Sequence, residues 1–308
     1  MAISIESIKE LRERTQAGMA DCKSALTEAD GDMDKAVEII LKKGQAKSAK
    51  RAGRVASEGE VVAEVFGGGR EAAIVEVNIE TDFSARNEKF KSLVQRVLAA
   101  VKAAPADVAL EDLAYEGKKL TDDASELTAI IGEKITLRRS KKVAVAAGKS
   151  GFCASYIHMG GKIGVLLVLE TSSDAVAAHD AVKTFAEETA MQVAAMEPLA
   201  LTSAELDPEL IAKQREIFEA QLREEAKPKP EAMWPKIIDG KVAKWFQEVT
   251  LVDQESAQHK KAIKELMVEA GKAAGGEVAI VGYVRFGLGE GIEKKTEDLQ
   301  QGVAELLQ

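Results

Sequence analysis
The 308-residue chain predicts an α+β fold: an N-terminal three-helix bundle, a core of two related α/β units with antiparallel sheets, an inserted αα-hairpin and a C-terminal helix. Three observations carry that expectation. Apolar residues recur at helical spacing up to about residue 54. The period then switches to two, and one strand–turn–strand–helix plan occurs twice. Finally, a pair of helical stripes broken by prolines interrupts the second occurrence.

In the N-terminal segment Ile5, Ile8 and Leu11 share a helix face, and Ala17-Gly18-Met19 breaks the pattern. Cys22, Ala25 and Leu26 resume it until Asp30-Gly31. Asp32 then has the chemistry of an N-cap for a stripe of Met33, Ala36, Val37, Ile40 and Leu41. Between Lys42 and Arg54 stand six cationic residues and no acid. With no aromatic interleaved for base stacking, that run reads as a solvated linker or partner-facing surface rather than a nucleic-acid patch.

From Glu58 onward Val61, Ala63 and Val65 alternate, Gly67-Gly68-Gly69 turns the chain, and Ile74 to Ile79 alternate again, which is a β-hairpin. It runs into Asn78–Asn87, NIETDFSARN, and then a helix with Phe90, Leu93, Val94, Val97, Leu98 and Val101 on one face. The plan returns at Tyr156-Ile157-His158-Met159, where Gly160-Gly161-Lys162 is a turn like Gly68-Gly69-Arg70. GVLLVLET (Gly164–Thr171) is aligned with AIVEVNIET (Ala73–Thr81) from the right-hand end, and a helix with Val182, Phe185, Ala186 and Thr189 follows. That alignment sets Thr171-Ser172-Ser173 against Thr81-Asp82-Phe83, so Phe83 is not needed to build the corner. Two readings stay open there. Phe83 is an exposed anchor for a partner, or it folds back onto its own unit with Asp82 capping the next helix.

Asp207 as N-cap and Pro208 at the first helical position open a helix striped by Leu210, Ile211, Gln214, Ile217, Phe218 and Leu222. KPKP (Lys227–Pro230) breaks it, and Ile237, Val242, Trp245, Phe246 and Val249 supply a second stripe. This αα-hairpin must bury its apolar face on something, and self-association is one option. Ala262–Ala274 reads as helix, Val278–Phe286 as a strand completing the second sheet, and Ile292–Leu307 as a terminal amphipathic helix.

Composition narrows the function. At 46% hydrophobic and 30% charged, the chain is an ordinary globular sequence, long enough for more than one domain. A formal charge of -9 argues against nucleic acid as a direct partner. Cys22, a small buried hydrophobe in a helical pattern, and Cys153, bordering a strand, form no metal or disulfide pattern, which fits a reducing compartment. MAISIESIKE has no signal-peptide pattern, and the longest apolar run, Val165–Leu169, is too short to cross a bilayer; a cytoplasmic location without membrane contact is expected. His158, His179 and His259 have no ligand at metal-like spacing, and Gly67-Gly68-Gly69 precedes strand where a phosphate loop precedes helix. No catalytic residue, metal site or cofactor is nominated. An interaction protein is expected, touching partners through its bundle, the Asp82-Phe83 corner and the His158 turn.

LRERTQAGMADCKSAL (Leu11–Leu26), EVNIETDFSARN (Glu76–Asn87), YIHMGGKIGVLLV (Tyr156–Val168) and VRFGLGEGIEK (Val284–Lys294) resemble bacterial elongation factor Ts, in order over nearly the whole chain. The resemblance implies a guanine-nucleotide exchange factor of elongation factor Tu, the GTPase that delivers aminoacyl-tRNA. In that family the Thr-Asp-Phe corner enters the GTPase domain and displaces Mg²⁺, a role that falls by position on Thr81, Asp82, Phe83 and Ser84. The bundle resembles a ubiquitin-associated module, with Arg12 and Met19 as contact residues, and His158 lies where the second unit also touches Tu. The hairpin matches a coiled-coil protrusion that mediates homodimer contacts in some members. The implied organisation is a bundle over 1–55, a first unit over 56–150, a second over 151–200 and 245–289, the hairpin over 201–244 and a C-terminal module over 290–308. Gln16, Ile79 and Asp253-Gln254-Glu255-Ser256 depart from the family pattern, so the resemblance implies no local structure near 253–258. A binding adaptor that holds another partner through the bundle is the alternative.

Overall fold
The computed structural model describes residues 3–15, 17–51, 53–224 and 230–293, with the side chains of residues 41 and 45–50 set aside. Gln16, most of the expected Pro-rich break at Lys227–Pro230 and nearly all of the expected helix Ile292–Leu307 lie outside those residues.

Helices α1 (Ile5–Thr15), α2 (Met19–Glu28) and α3 (Met33–Arg51) bury Ile8, Leu11, Cys22, Ala25, Leu26 and Ala36 in one cluster. Asp32 caps α3, its Oδ1 accepting from the backbone N–H groups of Asp34 and Lys35, both at 3.1 Å. Two antiparallel sheets follow. The first is built from β1 (Glu58–Phe66), β2 (Glu71–Ile79) and, after α4 (Asp82–Ala85), α5 (Glu88–Ala103), a two-stranded ribbon of β3 (Ala114–Tyr115) and β4 (Lys118–Lys119), and α6 (Leu120–Ile131), by β5 (Ile135–Ala144). The second is β6 (Ser150–His158), β7 (Ile163–Thr171) and, after α7 (Asp174–Ala178), α8 (Asp180–Met196), the hairpin α9 (Pro208–Glu224) and α10 (Trp234–Val249), and α11 (Ile263–Ala274), β8 (Val278–Gly287). Helix α3 packs on α6, which seats the bundle on the first unit.

The sheets lie face to face. Val61, Ala72 and Ile74 of the first meet Cys153, Leu166, Val168 and Phe286 of the second. The opposite face of each sheet is covered by its own helices: Ala73, Val75, Val77 and Ile79 pack on α5 and α6, and Val165, Leu167 and Leu169 on α8 and α11. Both central strands are therefore buried on both faces, so the alternation in Ile74–Ile79 separates two dry environments rather than core from solvent. Glu76 and Asn78 are fully buried as a result. Cys153 does not border a strand: it lies inside β6, between the sheets.

Burying a carboxylate demands partners. Glu76 Oε1 accepts from Arg138 at 2.7 Å, the Gly289 backbone N–H at 2.8 Å and Asn78 Nδ2 at 3.1 Å, while Oε2 accepts from Arg139 Nε at 2.6 Å. Arg139 also donates to the Gly287 carbonyl at 2.9 Å. One side chain thus ties the first sheet to the end of β8. Burial pushes this carboxyl upward, but the Gly289 N–H and the Arg138 and Arg139 guanidinium bonds outweigh it and hold the group below its usual range.

The two units are one design used twice, in the register that pairs the turn Gly160-Gly161-Lys162 with Gly68-Gly69-Arg70 and that the strand alignment misses. Glu58 pairs with Ile79 and Ser150 with Thr171, so Thr171 answers Ile79, not Thr81. Gly59 and Gly151 occupy matching places at φ 133° and 150°, where a Cβ would meet the Val77 and Leu169 carbonyls, each at 2.1 Å. Bulges fall between Glu76 and Val77 and between Val168 and Leu169. Thr81 caps α4 as Ser173 caps α7, and Asn87 caps α5 as His179 caps α8. A slip of two residues keeps every side chain on its face, so hydrophobic pattern alone could not detect it. The second counterpart of Thr81-Asp82-Phe83 is accordingly Ser173-Asp174-Ala175.

The segment near 253–258 is ordered by a buried amide network. Gln192 donates through Nε2 to Gln254 Oε1 at 3.2 Å and accepts through Oε1 from the Ala257 N–H at 3.1 Å, and Gln254 Nε2 donates to the Glu248 carbonyl at 3.0 Å.

Candidate functional site
The corner is built where β2 ends. Thr81 has extended backbone and accepts the Ser84 N–H at 3.3 Å, which starts the four-residue helix α4. Asn87 ends that turn and starts α5 by accepting the Lys89 N–H at 2.9 Å. Within this short turn Ala85 packs on the core of the first unit and Ser84 is half-buried, whereas the Phe83 side chain stands 80% exposed. The reading in which the ring folds back, with Asp82 capping the next helix, is not what forms. Asp82 instead pairs with Arg86 at 3.1 Å, an exposed pair one helical turn apart that adds little stability.

A four-residue helix cannot hold itself. Glu133 anchors it, accepting from the Thr81 N–H at 3.0 Å, Thr81 Oγ1 at 2.9 Å and Ser84 Oγ at 2.6 Å. Beside it, Glu80 accepts the Lys134 N–H at 2.6 Å and pairs with Arg54 at 3.1 Å, and Lys134 Nζ reaches the Arg54 carbonyl at 2.8 Å. Sequence reasoning named neither Glu133 nor Glu80. The Ser84 hydroxyl is turned to Glu133, inside the corner, while Phe83 and the Asp82–Arg86 pair face outward.

The other residues named from sequence lie on separate elements. Arg12 is exposed on α1, and Met19, 42% exposed, is the first residue of α2. His158 is exposed at the end of β6, its Nδ1 2.9 Å from Tyr156 Oη and the two rings 5.9 Å apart. Met159 follows it, 74% exposed and at φ 48°. Thus Thr81, Asp82, Phe83 and Ser84 form one cluster, the bundle presents a second surface, and the β6–β7 turn a third.

Neither thiol is prepared for chemistry. Burial pushes Cys153 up to about 11 and raises Cys22 as well, so both are held as thiols at neutral pH. Among the described residues no group of three or more His, Cys, Asp or Glu side chains is arranged to hold a metal ion, and no helix is long and apolar enough to cross a membrane.

The family model described as Elongation factor TS matches residues 80–290, from the corner to the end of the Glu76 latch. The chain is 47% identical to elongation factor Ts of a Nitratiruptor species, the alignment covering 99% of each. It is 43% identical to elongation factor Ts of a type A strain of Clostridium perfringens, again over 99% of each. With that of Bdellovibrio bacteriovorus identity is 41%, over 99% of this chain and 98% of the relative. An exposed aromatic corner, a doubled α/β core and full-length similarity agree: the chain belongs to the elongation factor Ts family of translation elongation factors.

Proposed function
We propose that this protein is a guanine-nucleotide exchange factor that binds elongation factor Tu·GDP and promotes GDP release during cytoplasmic translation. The observation that carries the reading is Phe83, a large apolar side chain left 80% exposed on a corner anchored from two sides. Seating such a ring in a partner's pocket is worth roughly 1.5–3 kcal/mol, enough to move elements of a GTPase that hold its Mg²⁺. Losing the metal removes the charge that neutralises the β-phosphate, and GDP is bound less tightly. Coupling between sites is reciprocal, so nucleotide weakens the complex by the same factor, and the protein speeds exchange without choosing its direction.

In this reading Thr81, Asp82, Phe83 and Ser84 form the Mg²⁺-displacing element, and Arg12, Met19 and His158 supply contacts from the bundle and the second unit. The hairpin is the element through which two copies associate. Its exposed Ile217 and Met233 support that part, and sedimentation showing only monomer at high concentration would remove it.

The test is release of a fluorescent GDP analogue from purified elongation factor Tu. Sub-stoichiometric protein is expected to accelerate release with turnover, without any added cofactor. No acceleration at excess protein would overturn the reading.

A further inference from the structure
We infer that Glu133 is a positioning residue for exchange: its carboxylate fixes the frame from which Phe83 projects. This rests on the reading of the corner as the element that acts on the GTPase. Its bonds reach both sides of the ring, to Thr81 two residues before and Ser84 one residue after. A ring on an unanchored turn would sample many directions and lose that ordering entropy on docking; an anchored ring has already lost it.

The second unit supplies an internal control. There too a helix ends in a left-handed glycine, Gly275 at φ 73° answering Gly132 at φ 89°. Three residues later each unit enters its last strand. The N–H just before that strand donates to Ser172 Oγ at 3.0 Å in the second unit, as Lys134 N–H donates to Glu80 in the first. Where the first unit has Glu133, however, the second has Gly276. A Cβ there would meet Ser172 Oγ at 2.3 Å and Val176 Cγ2 at 2.5 Å. Where the first has Ser84 on the carboxylate, the second has Val176 in its core. The turn therefore forms without a carboxylate. Glu133 and the Ser84 hydroxyl occur together in the unit whose corner carries Phe83, and Ala175 takes that place in the other.

The experiment is a double-mutant cycle on stimulated GDP release from elongation factor Tu, using Glu133→Ala, Phe83→Ala and both together. Glu133→Ala should lower the maximal rate roughly tenfold, as expected for losing charged hydrogen bonds, with little change in the concentration giving half the effect. On the Phe83→Ala background it should add less than about twofold. Glu133→Gln, which keeps an acceptor for the hydroxyls, should recover part of the rate. In the free protein, amide exchange should quicken at residues 81–85 in Glu133→Ala and stay unchanged in β2 and α5.

A lowered rate for Phe83→Ala with an unchanged rate for Glu133→Ala would overturn the proposal and leave the corner's role standing. Equal fold-losses for Glu133→Ala in both backgrounds would also overturn it, since the carboxylate would then act independently of the ring. An unchanged rate for Phe83→Ala would overturn the corner's role and the proposal together.

Discussion

Thr81-Asp82-Phe83-Ser84 and Ser173-Asp174-Ala175-Val176 occupy the same place in two copies of one unit. Both follow a central strand, both begin with a hydroxyl cap, and both lead into a longer helix capped by a second polar residue. They differ in what they show to solvent. The first presents a benzyl group and fixes its frame with Glu133; the second presents a methyl group and sets Val176 into the core. What the two share belongs to the fold. What only the first has is not required by the fold, and the proposed partner surface would account for it. The same logic separates Glu76 from Val168, the residues at matching bulges: a carboxylate latch in one unit and a methyl-bearing side chain in the other.

Converting the first unit to the second at that bulge should have the largest effect on stability. Glu76→Val removes the buried partner of Arg138 and Arg139 and frees the Gly289 N–H, a loss of about 3 kcal/mol, at the low end for a broken buried pair because both arginines keep some solvent contact and their bonds to Glu290 and, for Arg139, to the Gly287 carbonyl. Denaturant unfolding at pH 7 measures it. The folded carboxyl is held below its ordinary value of 4.5, so its contribution is complete above that value and disappears as pH falls through the lowered one. The gap between wild type and Glu76→Val should therefore narrow in acid, and a gap that widened would contradict the assignment.

Met159 offers a smaller break. It sits at φ 48° where the first hairpin has Gly67 at φ 59°, and a side chain in that region is strained. Met159→Gly should raise stability by at most about 1 kcal/mol, since relief of strain is partly offset by a more flexible unfolded chain. A clear loss would show that the methionine packs usefully in the free protein.

Ala175→Phe is the smallest perturbation and the sharpest on function. Placing the ring on an exposed second corner should change stability by no more than about 0.5 kcal/mol. It should leave GDP release at the wild-type rate, because the second corner lacks the Glu133 anchor and the surroundings of the first. Faster release in that variant would mean that any exposed ring suffices.

What the sequence revealed followed from local rules. The hairpins, the helix stripes and the caps at Asp32 and Asp207 obey spacing and turn chemistry, and the structure places the corresponding bonds there. The exposure of Phe83 was one of two readings that local chemistry could not separate. Its resolution required knowing that Thr81 and Asn87, rather than Asp82, cap the adjoining helices. Glu133 was invisible because it lies 49 residues from Ser84, and a lone acid after a glycine carries no local signal. Glu76 reads as the polar face of an alternating strand until a second sheet is known to cover that face. The two-residue slip between the repeats survived for the same reason, because period-two patterns are blind to it.

The central claim is that the anchored ring at the first corner does the work of exchange. Stopped-flow release of fluorescent GDP from elongation factor Tu, at saturating wild-type or Phe83→Ala protein, addresses it most directly. Loss of the ring's roughly 1.5–3 kcal/mol predicts a fall of about tenfold to a hundredfold in the maximal rate, with an unchanged unfolding midpoint. A wild-type rate from the folded variant would contradict it.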